Sequence, residues 1–172
     1  MLRPPEVTDA PPARRVRGRR SSLVLGVLIL TAVMSTRWVR LNLSSSVPRG
    51  VYGLVAVPAH VPRGTLVIVP VPAHVRHVWP RWVPLLKPVA GVPGDVVCYQ
   101  DGRLQVHAID YGPVYLATQA RALPHLDAGC QPVPAGMVFL ASHAPHSFDG
   151  RYMGMTPVVT LTAQATPVLT WR

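Results

Sequence analysis

The sequence predicts a mainly β protein: an antiparallel β domain preceded by one N-terminal transmembrane helix. Three observations lead there. After residue 41, hardly any stretch carries the apolar period of an amphipathic helix. The region is built instead from short β-branched runs separated by Pro and Gly: Val51–Val57, Thr65–Val71, Val83–Val89, Asp95–Gln100, Leu104–Ile109, Met137–Ser142, Val158–Ala163 and Val168–Trp171. Short strands punctuated this way suit a compact all-β domain, and 20 prolines among 172 residues argue further against helices. Third, a single apolar segment lies near the N-terminus, between Ser22 and Trp38.

Taken in order, residues 1–21 are rich in Pro and Arg and nearly free of apolar side chains, which predicts a disordered tail. The apolar segment at 22–38 would rise roughly 22–26 Å as a helix, slightly short of a hydrocarbon core of about 30 Å. A cleaved secretory signal and a retained anchor compete for it. A signal needs a small-x-small exit, and Ala32-Val33-Met34 or Met34-Ser35-Thr36 are poor versions. Trp38, flanked by Arg37 and Arg40, suits an interfacial anchor, so a retained single pass is expected.

Charge agrees with that placement. The chain has a formal net charge of +10. Residues 1–40 hold eight Arg against Glu6 and Asp9, a net of +6, which leaves +4 for residues 41–172. A basic run abutting an apolar run carries topology information: the N-terminus stays in the cytoplasm and everything after residue 40 lies on the far side. No basic stripe interleaved with aromatics follows residue 41, so nucleic acid is excluded as the expected partner. In an oxidising compartment a lone pair of cysteines usually joins, which predicts Cys98–Cys130, with two buried free thiols as the alternative. Val57-Pro58-Ala59-His60-Val61 recurs as Val71-Pro72-Ala73-His74-Val75, which reads as two similar turns and not as a repeat architecture.

Three segments carry chemistry. Lys87 is the only lysine, set among apolar neighbours in Leu85-Leu86-Lys87-Pro88-Val89. A desolvated lysine can lose its proton near neutrality, whereas arginine cannot. The second segment runs from Asn42 through Ser44, Ser45 and Ser46 to Pro48, Gly50 and Tyr52. A serine becomes a nucleophile only beside a base and on a constrained turn, and Pro48 and Gly50 fix the backbone after Ser46. The third is Ser147-Phe148-Asp149-Gly150-Arg151-Tyr152, whose carboxylate and guanidinium suggest an ion pair or positioning network.

In order and spacing these segments resemble the motifs of the signal peptidase family, the Ser-Lys membrane proteases. The second chemistry segment resembles that family's serine motif. Its lysine motif, K-x-x-x-G-x-P-G-D, is matched by Lys87, Gly91, Pro93, Gly94 and Asp95, and its S-x-D-S-R-Y-x-G motif by Ser147 to Gly154 with Gly150 in place of the inner serine. The resemblance covers roughly residues 20–172. Within the family, Ser46, Pro48, Gly50 and Tyr52, the short chain and the single anchor look like the TraF-type conjugative transfer peptidases, where paired cysteines also occur. Val47 stands where the housekeeping leader peptidases carry methionine, and Ala141 where they carry glycine.

The resemblance implies Ser46 as nucleophile and Lys87 as general base, with the Ser46 backbone N–H and the Ser44 hydroxyl forming the oxyanion hole. Ser147 would orient the lysine, and Asp149 and Arg151 would support that loop. An extended precursor with small residues before the cut, usually Ala-x-Ala, would pair along Val83–Lys87, touching Val83, Leu85 and Leu86. The implied function is a membrane-anchored endopeptidase for signal peptides or pilin precursors in conjugative type IV secretion. A general leader peptidase and a non-catalytic periplasmic scaffold of a secretion apparatus are the alternatives. Partners would be the membrane-anchored precursor and inner-membrane lipid. No cofactor is expected, and no metal, since His74/His77 and His143/His146 have i, i+3 spacing without an obvious third ligand. His143 and His146 are expected near the mouth of the site, and Trp79–Trp82 reads as core or as a loop touching the membrane surface, with the membrane reading preferred. The expected domains are a β-rich peptidase at 41–172, with a core of 41–97 and 136–172 and an insertion at 98–135.

Overall fold

The computed structural model describes residues 24–26, 38–80, 82–117 and 122–171. The chain divides into two units, Met1–Thr36 and Arg37–Arg172. Of the first, only Val24–Gly26 are described, as an exposed helical fragment. Among the described residues no helix is long and apolar enough to cross a membrane. The tail expected at 1–21, and the anchor expected at 22–38 apart from Val24–Gly26 and Trp38, lie outside them.

The second unit is antiparallel β throughout. Its strands are β1 (Val39–Asn42), β2 (Arg49–Val55), β3 (Leu66–Val69), β4 (Leu85–Gly91), β5 (Val96–Gln100), β6 (Arg103–Val106), β7 (Ile109–Pro113), β8 (Gly129–Pro132), β9 (Met137–Leu140), β10 (Thr156–Pro157) and β11 (Ala163–Trp171). One sheet has the order β1-β2-β11-β3-β4-β9-β10, and a second, four-stranded sheet the order β7-β6-β5-β8. The smaller sheet occupies residues 96–132, close to the insertion expected at 98–135. A one-turn helix, α1 (Gly150–Met153), follows the β9 loop, and short 3-10 turns lie at Ala73–Val75 and Val158–Thr160.

Burial follows the alternation of the strands. In β3, Val67 and Val69 enter a core that also takes Val89, Phe139 and Leu140, together with Val97, Leu104 and Val106 from the smaller sheet. Ile68, one residue out of phase, joins Leu86, Tyr52, Val47 and Ala165 in a second cluster beneath the β1–β2 loop. The two sheets therefore share one core, while the opposite face of the larger sheet supports the serine segment.

Part of the lysine motif is architectural. At Val92-Pro93-Gly94-Asp95 the Asp95 N–H donates to the Val92 carbonyl at 3.0 Å, with Gly94 at φ +91°. Pro presets the first central residue of such a turn, and only a residue tolerating positive φ fits the second. Asp95 returns its carboxylate to the Val92 N–H at 2.8 Å and pairs with Arg63. The turn thus carries the chain from β4 into β5 and the smaller sheet.

Three sequence expectations fail. Leu104–Ile109 is not one strand: β6 stops at Val106, His107 and Ala108 turn at positive φ, and β7 starts at Ile109. Val158–Ala163 is not a strand: Val158–Thr160 forms a 3-10 turn after Pro157, and the last strand runs over Ala163–Trp171 with a shift of register against β2 at Val168. Pro167 is accommodated because β3 pairs with β11 only at Ala163–Ala165, so no ladder partner awaits its missing N–H on that side. The β1 segment, Val39–Asn42, and β8, which is exposed along its length, carried no recognisable strand pattern.

Candidate active site

Ser46 sits in the loop joining β1 to β2, whose ladder pairs Asn42 with Gly50. The loop is built around Asn42, a buried residue. Its amide nitrogen donates to the carbonyls of Ser44 at 3.1 Å, Val47 at 3.2 Å and Pro48 at 3.1 Å. Its amide oxygen accepts from the Ser44 N–H at 3.3 Å and the Ser44 hydroxyl at 2.7 Å. One side chain therefore ties together five polar groups of a tight loop, its two N–H bonds shared among the three carbonyls. Tyr52 closes the far side by donating its hydroxyl to the Pro48 carbonyl at 2.6 Å.

Lys87 reaches this loop from β4. Its Nζ lies 2.7 Å from Ser46 Oγ and 2.9 Å from Ser147 Oγ, and the residue is only 3% exposed. Burial is the largest influence on the amine and lowers its pKa to about 8. The Asp149 carboxylate acts in the opposite sense, and the Arg151 guanidinium adds to the lowering. An amine of this kind is neutral in about a tenth of molecules at pH 7 and in about half of them at pH 8. Its lone pair then accepts the Ser46 proton while its N–H groups donate onward to Ser147.

The loop after β9 holds the other side. The Ser142 N–H donates to Asp149 at 3.0 Å, and the Ser142 hydroxyl donates to the Ser46 carbonyl oxygen and accepts from the Ala144 N–H at 3.1 Å. Asp149 caps α1 by accepting the Arg151 N–H at 3.1 Å, and its carboxylate pairs with the Arg151 guanidinium at 2.5 Å, both residues fully buried. That guanidinium also donates to the Ser142 carbonyl at 3.0 Å and to the Tyr111 carbonyl in β7. A buried charge pair held by several bonds is costly to break from one side, even though the Arg151 Nε itself has no partner among the described residues.

The departure at Gly150 has a steric cause. A Cβ there would lie 2.6 Å from the Leu140 carbonyl oxygen and 2.7 Å from Cζ of Phe139. The Phe139 ring occupies the space a serine would need. Ala141, the other departure, is fully buried and donates its N–H to the Pro88 carbonyl at 3.3 Å, next to Lys87 in sequence.

A cleft of about 490 Å³ opens onto Ser46 and Lys87, walled by Arg40–Ser46 on one side and Val83–Lys87 on the other. Val83, Leu85 and Leu86 all line it. The backbone geometry leaves it short of one strand. Val89 exchanges hydrogen bonds with the segment leading into β3, so Lys87 and Leu85 point their main chain the same way. β9 pairs with β4 only from Val89 onward, which leaves the Leu86 N–H and C=O on an open edge, with the Pro84 C=O beside them taken by Arg40. Leu54 donates to Trp38 across β1–β2, so the Leu41 main chain likewise points away from β2.

Aromatic stacking frames the cleft. Trp79 stacks on Phe148 at 5.5 Å, and Phe148 on Tyr152 at 5.4 Å. Trp79 also donates its indole N–H to the Val83 carbonyl at 3.1 Å. The Trp79–Trp82 segment is thus split: Trp79 packs inward while Trp82 is 78% exposed. His143 stacks on Tyr111 at 4.4 Å and His146 on Tyr115 at 5.0 Å, and His146 lines the cleft. Cys98 and Cys130, directly opposed on β5 and β8, form a disulfide.

The structure brings Ser46, Lys87, Ser147, Asp149 and Arg151 together, with Ser44 beside them but turned toward Asn42. Sequence reading missed Asn42, Ser142 and Arg40, whose guanidinium donates to the Pro84 carbonyl at 3.1 Å. Asn42 had a legible signal, since an Asn two residues ahead of a serine favours the Asx turn seen here. Ser142 and Arg40 had none: their partners lie 96 and 44 residues away.

Residues 20–171 match the family model described as signal peptidase, peptidase S26. Among solved structures, a crystal structure of a signal peptidase I from Enterococcus faecalis is similar at 20% identity and a TM-score of 0.40, over 62% of this chain and 97% of that one. A search of curated proteins finds no match.

Proposed function

The chain belongs to the signal peptidase family, peptidase S26, and is a serine peptidase; on that premise we propose that it is a membrane-anchored Ser-Lys endopeptidase. It would cleave precursor proteins after small residues. The observation that carries this reading is the buried Lys87 amine, 2.7 Å from Ser46 Oγ with its pKa lowered to about 8.

The steps follow from that contact. Neutral Lys87 takes the Ser46 proton as Oγ attacks the scissile carbonyl, and the oxyanion is held by the Ser46 N–H and the Ser44 hydroxyl, which must turn from Asn42 to reach it. The lysine then gives its proton to the leaving amine, leaving an ester on Ser46. A water molecule, deprotonated by Lys87, hydrolyses the ester and restores the serine. An extended precursor segment would fill the missing strand between Leu41 and Leu86, so that the main chain supplies affinity and small side chains fit the walls.

Placement at the outer face of the inner membrane draws on the basic N-terminus and on the surface around the cleft. Leu41, Val51 and Leu169 form one cross-strand row, and Leu41 is 55%, Leu169 62%, Trp38 69% and Leu43 65% exposed. Apolar surface of this kind beside the cleft suits contact with the membrane from which the precursor emerges. The conjugative branch is favoured by Ser46-x-Pro48-x-Gly50-x-Tyr52, with a pilin precursor as substrate.

The test is acylation of the purified full chain by a penem, read by mass spectrometry, together with cleavage of a fluorogenic Ala-x-Ala peptide. Both should vanish in Ser46→Ala. A wild-type protein that is neither acylated nor active would leave the scaffold alternative standing. Deletion of the gene should stop conjugative transfer while general secretion continues; the reverse result would identify a general leader peptidase.

A further inference from the structure

The cleft has an uneven charge. Among the described residues that line it, Arg40 and Arg49 are fixed cations, Lys87 and His146 are titratable bases, and no carboxylate is present. Arg40 is half-buried and spans the gap between its two walls, using its bond to the Pro84 carbonyl. A guanidinium has five N–H donors, so the rest of this one is available to an incoming group.

Distance along β4 locates it relative to the chemistry. Pro84 stands three residues before Lys87, about 10 Å at the rise of a strand. A substrate strand in the slot would therefore meet Arg40 roughly three residues from the cut. In an extended peptide, the first and third residues before the cut point to one face and the second and fourth to the other. If the first and third positions are held to small side chains, the second and fourth are free to carry larger ones.

We propose that Arg40 makes the cleft selective for precursors with an acidic side chain at the second or fourth residue before the scissile bond, and against basic ones there. The proposal rests on the peptidase reading above and names its substrate class more closely. A carboxylate at either position can take the guanidinium's remaining donors in the paired geometry that arginine favours, while Arg40 keeps the Pro84 carbonyl. A lysine there would instead face two fixed positive charges in a cleft with no counter-ion.

The experiment uses the full chain in detergent micelles with fluorogenic peptides carrying Glu, Gln or Lys at the second or the fourth position, otherwise identical. The readout is the kcat/KM ratio of the Glu to the Lys peptide, which cancels differences in the amount of folded enzyme. The wild type should favour Glu by about tenfold at one of the two positions, a preference that shrinks in high salt. Arg40→Gln should bring the ratio close to one, and Arg40→Glu should reverse it. Equal cutting of Glu and Lys peptides by the wild type at both positions, or a Glu preference that survives in both variants, overturns the proposal alone. Failure to cut any peptide, Gln included, overturns the peptidase reading and this proposal with it.

Discussion

Lys87 should cost the protein stability at the pH where it works, and the size of that cost follows from the structure. Consider Lys87→Met, which keeps the length and replaces the amine with an apolar end. The amine's pKa falls from an ordinary 10.5 when unfolded to about 8 when folded. Between those values the unfolded chain holds a proton that the folded chain does not, so wild-type stability rises with pH across that window. At 1.36 kcal/mol per unit, the rise is on the order of 3 kcal/mol. Below about pH 8 the full penalty is present. The methionine variant escapes it but loses the bonds to Ser46 and Ser147, roughly 1 kcal/mol each and independent of this titration. The decisive quantity is thus the pH dependence of the difference between the two proteins. Urea unfolding of wild type and Lys87→Met at intervals from pH 6.5 to above pH 10 should show wild type gaining about 3 kcal/mol on the variant, all of it above pH 8. A difference that stays flat over that range would mean the amine is not desolvated as described.

Other outcomes follow from the same geometry. kcat/KM on an Ala-x-Ala peptide should rise about tenfold from pH 7 to pH 9, tracking the neutral fraction of an amine with a pKa near 8, and Lys87→Arg should be as inactive as Lys87→Ala. Activity retained in the arginine variant would send the proton elsewhere, most plainly to a histidine. Ser46→Ala should fold normally and cut nothing, while Ser44→Ala should lower kcat by about 10²–10³ with little change in KM, as loss of one oxyanion donor does. Asn42→Ala leaves buried carbonyls without a donor and should cost about 1–3 kcal/mol in chemical unfolding, with a fall in kcat larger than that of Ser44→Ala. A variant as active as wild type would remove Asn42 from its role. Peptide mapping without reductant should recover Cys98 joined to Cys130, and reduction should lower stability by about 3 kcal/mol.

What could be read from the sequence divides along physical lines. Strands built on β-branched runs between turn residues, such as β3 and β4, announce themselves because their cause is local. So does Lys87, because a lone lysine between apolar residues has few structural uses. β11 runs through Pro167 although proline usually ends a strand, and only the sheet order reveals that β3 has already parted from it there. Gly150 looked like a weakened motif, yet its cause is the ring of Phe139, a neighbour set by the fold. Arg151 was legible as a partner of Asp149, two residues away, but its bond to Tyr111 crosses into the other sheet and has no trace in local sequence.

The open half of β4 bears on a hazard unrelated to catalysis. Unpaired strand edges are where sheets recruit stray chains and begin to aggregate. Here the edge is short, lies at the bottom of a cleft, begins at a proline that has no N–H, and has one carbonyl already covered by Arg40. A strand still attached to a folded neighbour, flanked by other strands and bulky side chains, cannot enter so narrow a slot. A single extended segment with small side chains can. The walls that would select a precursor therefore also keep copies of the protein from stitching themselves together, and widening the slot to broaden its substrates would be expected to lower solubility as well.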